Sequence, residues 1–109
     1  MLVSFDKLPL NSRVWVYSSN RKFIQKEIIS IRKDLENFLS NWTSHNQSLE
    51  TGFELRYDRF IIIAVNQEIN NASGCSIDNC VRFIKKLENK YKVDLLDKMN
   101  VIYKQDKHL

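Results

Sequence analysis

Glycine and proline are almost missing from this chain, with two and one in 109 residues. So little turn chemistry argues for a few long elements joined by short polar loops. Cysteine occurs only at 75 and 80, and histidine only at 45 and 108. Two cysteines five apart do not make the framework of a small secreted domain. They also lack the Cys-x2-Cys pairing of structural zinc, so no metal or other cofactor is expected. No apolar run is long enough to span a membrane. Met1-Leu-Val-Ser-Phe-Asp-Lys7 lacks the basic start, apolar segment and cleavage site of a signal peptide. The cytoplasm is the expected location.

What is present is ordinary for a globular chain. Hydrophobic residues make up 43% and charged residues 28%, enough for one domain to bury a core without metal or disulfides. The net charge of +4 is mild. Lys, Asn and Ile are all abundant, so the basic balance reads as composition before it reads as nucleic-acid binding.

Residues 1–109 are expected to form a single domain, with an extended lead-in over 1–12 and a tail over 104–109. Arg13-Val-Trp-Val-Tyr-Ser18 reads as a strand, rich in β-branched and aromatic residues. Its faces are Val14/Val16 and Trp15/Tyr17. From about Phe23 to Trp42, Ile24, Ile28, Ile31, Leu35, Phe38 and Trp42 recur at +4, +3, +4, +3, +4, which predicts a helix. Thr43–Ser48 is expected to be a loop. Leu49–Tyr57 alternates apolar and polar residues, as a strand with one wet face does. Asp58-Arg59 is the expected turn. Phe60-Ile-Ile-Ile-Ala-Val65 is apolar on both faces and reads as a central strand. A second helix is expected from Ser76 to about Lys92, and a short final strand at Val101–Tyr103. The order strand, helix, strand, strand, helix, strand predicts an α+β, ferredoxin-like split βαββαβ fold. Its four-stranded, mainly antiparallel sheet would carry both helices on one face, with strands one and three central.

Asn71-Ala-Ser-Gly-Cys-Ser-Ile-Asp-Asn-Cys80 joins the apolar strand to the second helix. Gly74 suits a turn there. Ser76 is the expected N-cap, and Asp78 then falls in a first turn that favours negative charge. Cys80 joins Ile77, Ile84, Leu87 and Tyr91 on one helical face and reads as core. Cys75 lies beside the free amides of the helix start, which would favour its thiolate. It can equally be a small residue filling a turn. His45 falls at the same end of the proposed topology and is the natural partner for a Cys75 nucleophile. It can equally cap the end of the first helix beside Trp42.

Five blocks, Arg13-Val-Trp-Val-Tyr17, Asn41-Trp-Thr-Ser-His45, Arg56-Tyr-Asp-Arg-Phe60, Ala72-Ser-Gly-Cys-Ser-Ile-Asp78 and Val81-Arg-Phe-Ile-Lys-Lys-Leu-Glu88, resemble a small bacterial family whose members are often labelled "ABC transporter ATPase". The resemblance runs from about Leu2 to Tyr103, and family members extend beyond the point where this chain stops. It brings no catalytic residue with it. The label conflicts with the residues, because phosphate cradling by an ATPase needs a glycine-rich loop ending in Gly-Lys-Ser/Thr. Gly52 and Gly74 are the only glycines, and neither precedes lysine. No nucleotide is expected.

Other chemistries fare no better. No Gly-x-Ser-x-Gly elbow is present, and Ser18-Ser-Asn-Arg21 has no glycine with which to cradle phosphate. Trp15, Tyr17 and Tyr103 on an open sheet could stack RNA bases. The third strand, however, lacks the glycine-aromatic signature of such modules. The stripe Arg82, Lys85, Lys86, Lys90 would lie on the helix side and reads as a solvated face. The expectation is a non-catalytic binding or assembly domain. Its open sheet face, with Trp15, Tyr17 and Arg56, would meet another protein or a second copy. Ser76 and Asp78 mark a second candidate contact at the helix start. A thiol activity at Cys75 with His45 is the alternative, and weak RNA binding comes third.

Overall fold

The computed structural model describes residues 1–96 and the backbone of Asn100–Tyr103. The expected tail lies outside the described residues, as do the side chain of Tyr103 and all of His108. The fold is α+β, with two helices and an antiparallel sheet. The elements are β1 (Arg13–Ser18), α1 (Gln25–Ser40), β2 (Thr43–Ser44), β3 (Gln47–Ser48), β4 (Thr51–Arg56), β5 (Phe60–Val65), α2 (Gly74–Tyr91) and β6 (Asn100–Tyr103). The main sheet runs β4-β5-β1-β6, and β2-β3 form a separate ribbon. Every pairing in the main sheet is antiparallel, with Trp15 opposite Ile63 and Phe53 also opposite Ile63. β5 sits inside the sheet because Ile61 to Val65 are buried on both faces.

Period-2 alternation divides the sheet into two apolar faces. Trp15, Tyr17, Ile61, Ile63 and Val65 pack with Ile28, Ile31, Leu35 and Leu39 of α1 and with Cys80, Ile84, Leu87 and Tyr91 of α2. Val14, Val16, Ile62 and Ala64 form a smaller cluster with Leu8, flanked by Val3, Phe5 and Phe60. The helices therefore cover the face expected to be open. Trp15 is 3% exposed and Tyr17 is 1% exposed, so neither belongs to a surface contact. The physical reason is volume. Alternation tells which residues share a face, but not which face meets the helices. The deeper gap under two helices takes the large rings, while valine and alanine suit the thinner cover of the lead-in.

The lead-in is more than an extended strand. It makes a 3-10 turn at Phe5–Lys7, and Leu2 bridges Thr51 in parallel at the β4 edge. The Val3 amide donates to Thr51 O at 2.7 Å, and the Thr51 amide donates to Met1 O at 2.9 Å. Gly52 makes this approach possible. A Cβ there would stand 3.0 Å from Phe5 Cα and 3.0 Å from Val3 O, closer than packed atoms tolerate.

Both helices begin differently from expectation. α1 starts at Gln25, where Glu27 reaches back to accept from the Ile24 amide at 3.0 Å. Ile24 itself stays exposed. The helix ends at Ser40, and the Asn41 side chain donates to Asn37 O at 2.9 Å. Phe23 and Trp42 flank the helix yet still join the core. α2 is capped by Ser73, not Ser76. The Ser76 amide donates to Ser73 Oγ at 3.2 Å, and the Ser73 amide donates to Ser76 Oγ at 2.7 Å. Serine thus takes the place of the glutamate in a reciprocal cap. Gly74 is an ordinary first helical residue without positive φ, and a Cβ there would meet nothing within 4 Å.

The turns use no glycine. His45 and Asn46, with φ of 53° and 65°, join β2 to β3. Tyr57 and Asp58, with φ of 55° and 56°, join β4 to β5, so that turn lies one residue earlier than expected. Left-handed backbone costs about 1–2 kcal/mol per non-glycine residue. The surrounding ladders hold these turns in place.

Candidate binding groove

The seam between the helices is where the surface is most structured. Phe38 of α1 and Phe83 of α2 stack with centroids 4.4 Å apart and planes 6° from parallel. Phe38 also meets Trp42 at 5.6 Å, and Trp42 meets Trp15 edge-on at 6.1 Å. A line of rings thus runs from the helical surface down to the sheet. Trp42 is fixed by donating Nε1–H to Ser76 O at 2.8 Å, which also ties the end of α1 to the start of α2.

Above the rings lies a cleft of about 430 Å³, with Asn37, Asn41 and Thr43 on one side and Asn79, Arg82 and Lys86 on the other. It continues into a cleft of about 330 Å³ that reaches Leu87, Asp34 and Lys90. The far end is neutralised. Lys90 Nζ lies 2.9 Å from Asp34 Oδ2, and that carboxylate raises the pKa of the ammonium. Tyr91 Oη lies 2.7 Å from the same Asp34 oxygen and 2.6 Å from Ser30 Oγ. Burial is the main cause that raises the Tyr91 pKa. No hydrogen bond or ion pair engages Arg82 or Lys86 among the described residues, and both are exposed.

The residues singled out in the sequence are scattered. Cys75 is exposed at the second position of α2, and His45 is exposed at the tip of the β2–β3 ribbon. That ribbon is held near the α2 start by Asn70, whose Nδ2 lies 3.3 Å from Gln47 O and 3.4 Å from Ser44 O. The two residues therefore share one end of the domain, but no hydrogen bond joins them among the described residues. Ser76 is 1% exposed and spends its hydroxyl on the helix cap. Asp78 is exposed and lies beyond the first turn, which holds no acidic residue. Arg56 pairs with Glu54 on its own strand at 3.1 Å. Tyr17 is buried with its hydroxyl 3.7 Å from Cys80 Sγ. Burial raises the pKa of Tyr17, and pushes that of Cys80 up to about 11.

The groove was missed because Phe38 counts as one more member of the α1 stripe. Phe83, beside Ile84, widens the α2 stripe past the face marked by Cys80, Leu87 and Tyr91. An apolar residue at the flank of each stripe is the signal that two helices expose a shared seam.

These features define a small α+β domain with an aromatic-floored groove on its helical layer. Comparison with known proteins finds no match, whether to a family model, a curated protein or a solved structure.

Proposed function

We propose that this chain is a non-catalytic, cytoplasmic binding domain of the ferredoxin-like split type, which contacts another protein through its interhelical groove. The split reading is supported by the strand order β4-β5-β1-β6 with both helices packed against the Trp15/Tyr17 face. The observation that carries the binding reading is the stacked Phe38–Phe83 pair. The two rings are only half-buried and lie beneath two cations that have no ion pair among the described residues. Aromatic and arginine side chains at a concave site are what protein contacts are built around.

The test is a selection of displayed random peptides on the folded domain, followed by amide NMR mapping of the winners. Shifts centred on Asn37, Phe38, Asn79 and Phe83, lost in Phe83→Ser, are expected. Winners that instead map to the β4 edge or the β2–β3 ribbon, or no enrichment at all, would overturn the reading.

A further inference from the structure

We infer that the occupant of the groove is an extended acidic peptide segment of a partner protein, with carboxylates at alternate positions. This rests on the groove reading above and adds the chemistry of what enters. Three observations carry it.

The first is charge. Arg82 and Lys86 line the cleft with no ion pair among the described residues, while the facing rim presents the neutral amides of Asn37 and Asn41. Asp34, the carboxylate that lines the continuing cleft, is already committed to Lys90 and Tyr91 at the other end. A partner thus meets unbalanced positive charge at one half of the groove only.

The second is spacing. Arg82 and Lys86 are one turn apart on α2, a rise of about 6 Å. Alternate residues of an extended chain repeat at about 6.6 Å. Two carboxylates separated by one residue therefore reach both cations without bending the peptide. Adjacent carboxylates point to opposite sides and reach only one.

The third is the floor. Phe38 and Phe83 already cover each other's faces. With one face of each ring taken by the other, the half-buried pair suits an apolar side chain better than a nucleic-acid base, which stacks on an open ring face. Leu87 extends that apolar floor beyond the cations. The expected pattern is acid, any residue, acid, followed by an apolar anchor.

The experiment uses fluorescein-labelled synthetic 10-residue peptides and the full chain, read by fluorescence anisotropy at about 50 and 300 mM salt. The probes are an Asp-Ser-Asp peptide with a following Leu anchor, a block isomer with adjacent Asp residues, a Lys-for-Asp peptide and a neutral Asn-for-Asp peptide. A uridine 10-mer is the nucleic-acid control. The alternating acidic probe should bind best, and screening should weaken it at high salt. R82Q/K86Q should weaken it about tenfold, as the loss of two exposed charge contacts implies. Lys85→Gln, which lies outside the cleft, should leave it unchanged. Circular dichroism confirms that each variant is folded. Neutral or basic probes that bind equally well, and depend on Phe83 but not on Arg82 and Lys86, would overturn the acidic assignment while sparing the groove. Preference for the uridine probe would overturn it in favour of nucleic acid. No binding by any probe would overturn both.

Discussion

The two glycines allow one chemical change to be made in opposite settings. Replacing either by alanine removes conformational freedom from the unfolded chain, which stabilises a protein by about 0.4–1 kcal/mol where the native geometry tolerates the methyl group. Gly74 tolerates it: its φ is not positive and no atom lies within 4 Å of the new Cβ. Gly74→Ala should therefore be stabilising. Gly52 does not, because its Cβ would press on Phe5 Cα, Val3 O and Leu8 Cδ1 at 3.0, 3.0 and 3.1 Å. Two of those contacts are backbone atoms that cannot rotate away. Either the strain is kept, at about 1–3 kcal/mol, or the lead-in lifts and Leu8 loses burial worth about 2 kcal/mol. After the entropic gain is subtracted, Gly52→Ala should destabilise by about 1–2 kcal/mol. That is a fall in Tm of roughly 4–10 °C for a domain near this size. Thermal melts followed by circular dichroism, with urea midpoints as a check, measure both variants against the parent. Leu8→Ala provides the coupling test. The double variant should be less destabilised than the sum of the singles, since residues in contact are not additive. Equal stabilisation by both glycine substitutions would refute the claim that the lead-in rests on the sheet at Gly52.

Four further outcomes follow from contacts described above. In the native protein, iodoacetamide should label exposed Cys75 and spare Cys80, which is 2% exposed with a thiol pushed up to about 11; labelling of both at equal rates would contradict the core. Glu27 is held down to about 2, first by the Arg21 guanidinium and then by the Ile24 amide. A lowered carboxyl pKa gives stability that is present above the unfolded value near 4.5 and is lost as pH falls toward 2, so urea midpoints of Glu27→Gln should lack part of the parent's decline across that window. Trp42→Phe loses the bond from Nε1 to Ser76 O, but that carbonyl keeps its helical donor, so the lost bond costs about 0.5–1.5 kcal/mol. Tyr17→Phe removes only a 3.7 Å contact with a thiol and should change stability by less than about 1 kcal/mol, which the same melts would check.

Much of the architecture was legible because periodicity is a strong signal where elements are long. The α1 and α2 stripes and the doubly buried β5 emerge from spacing alone. What was not legible depended on non-local facts. Alternation has no sign, so the sequence alone does not say whether Trp15 and Tyr17 face the helices or the open side. Only the packing of α1 and α2 decides which side they cover. Ser76 reads as the cap because it follows the glycine, whereas Ser73 wins by forming a reciprocal pair with it. The Tyr57-Asp58 turn has no glycine to announce it. The Phe38–Phe83 stack requires knowing which flanks of two distant helices meet, and no single helix reveals that.

The position of β1 between β5 and β6 has a consequence for timing. Both of its partners lie later in the chain, β5 beyond α1 and inside the β4–β5 hairpin, and β6 beyond α2. During synthesis β1 leaves the ribosome with nothing to pair with, carrying Val14, Trp15, Val16 and Tyr17 in an unsatisfied apolar strand. The β4–β5 hairpin is the first piece of the main sheet that local contacts can close, and β1 must then be captured across a long loop. Non-local capture of this kind slows folding, since the loop entropy is lost before the contact is gained. The rate at which the sheet is completed should therefore respond to substitutions along the β1–β5 ladder, such as Val16→Ala or Ile63→Val, more than to equal losses of stability in α2.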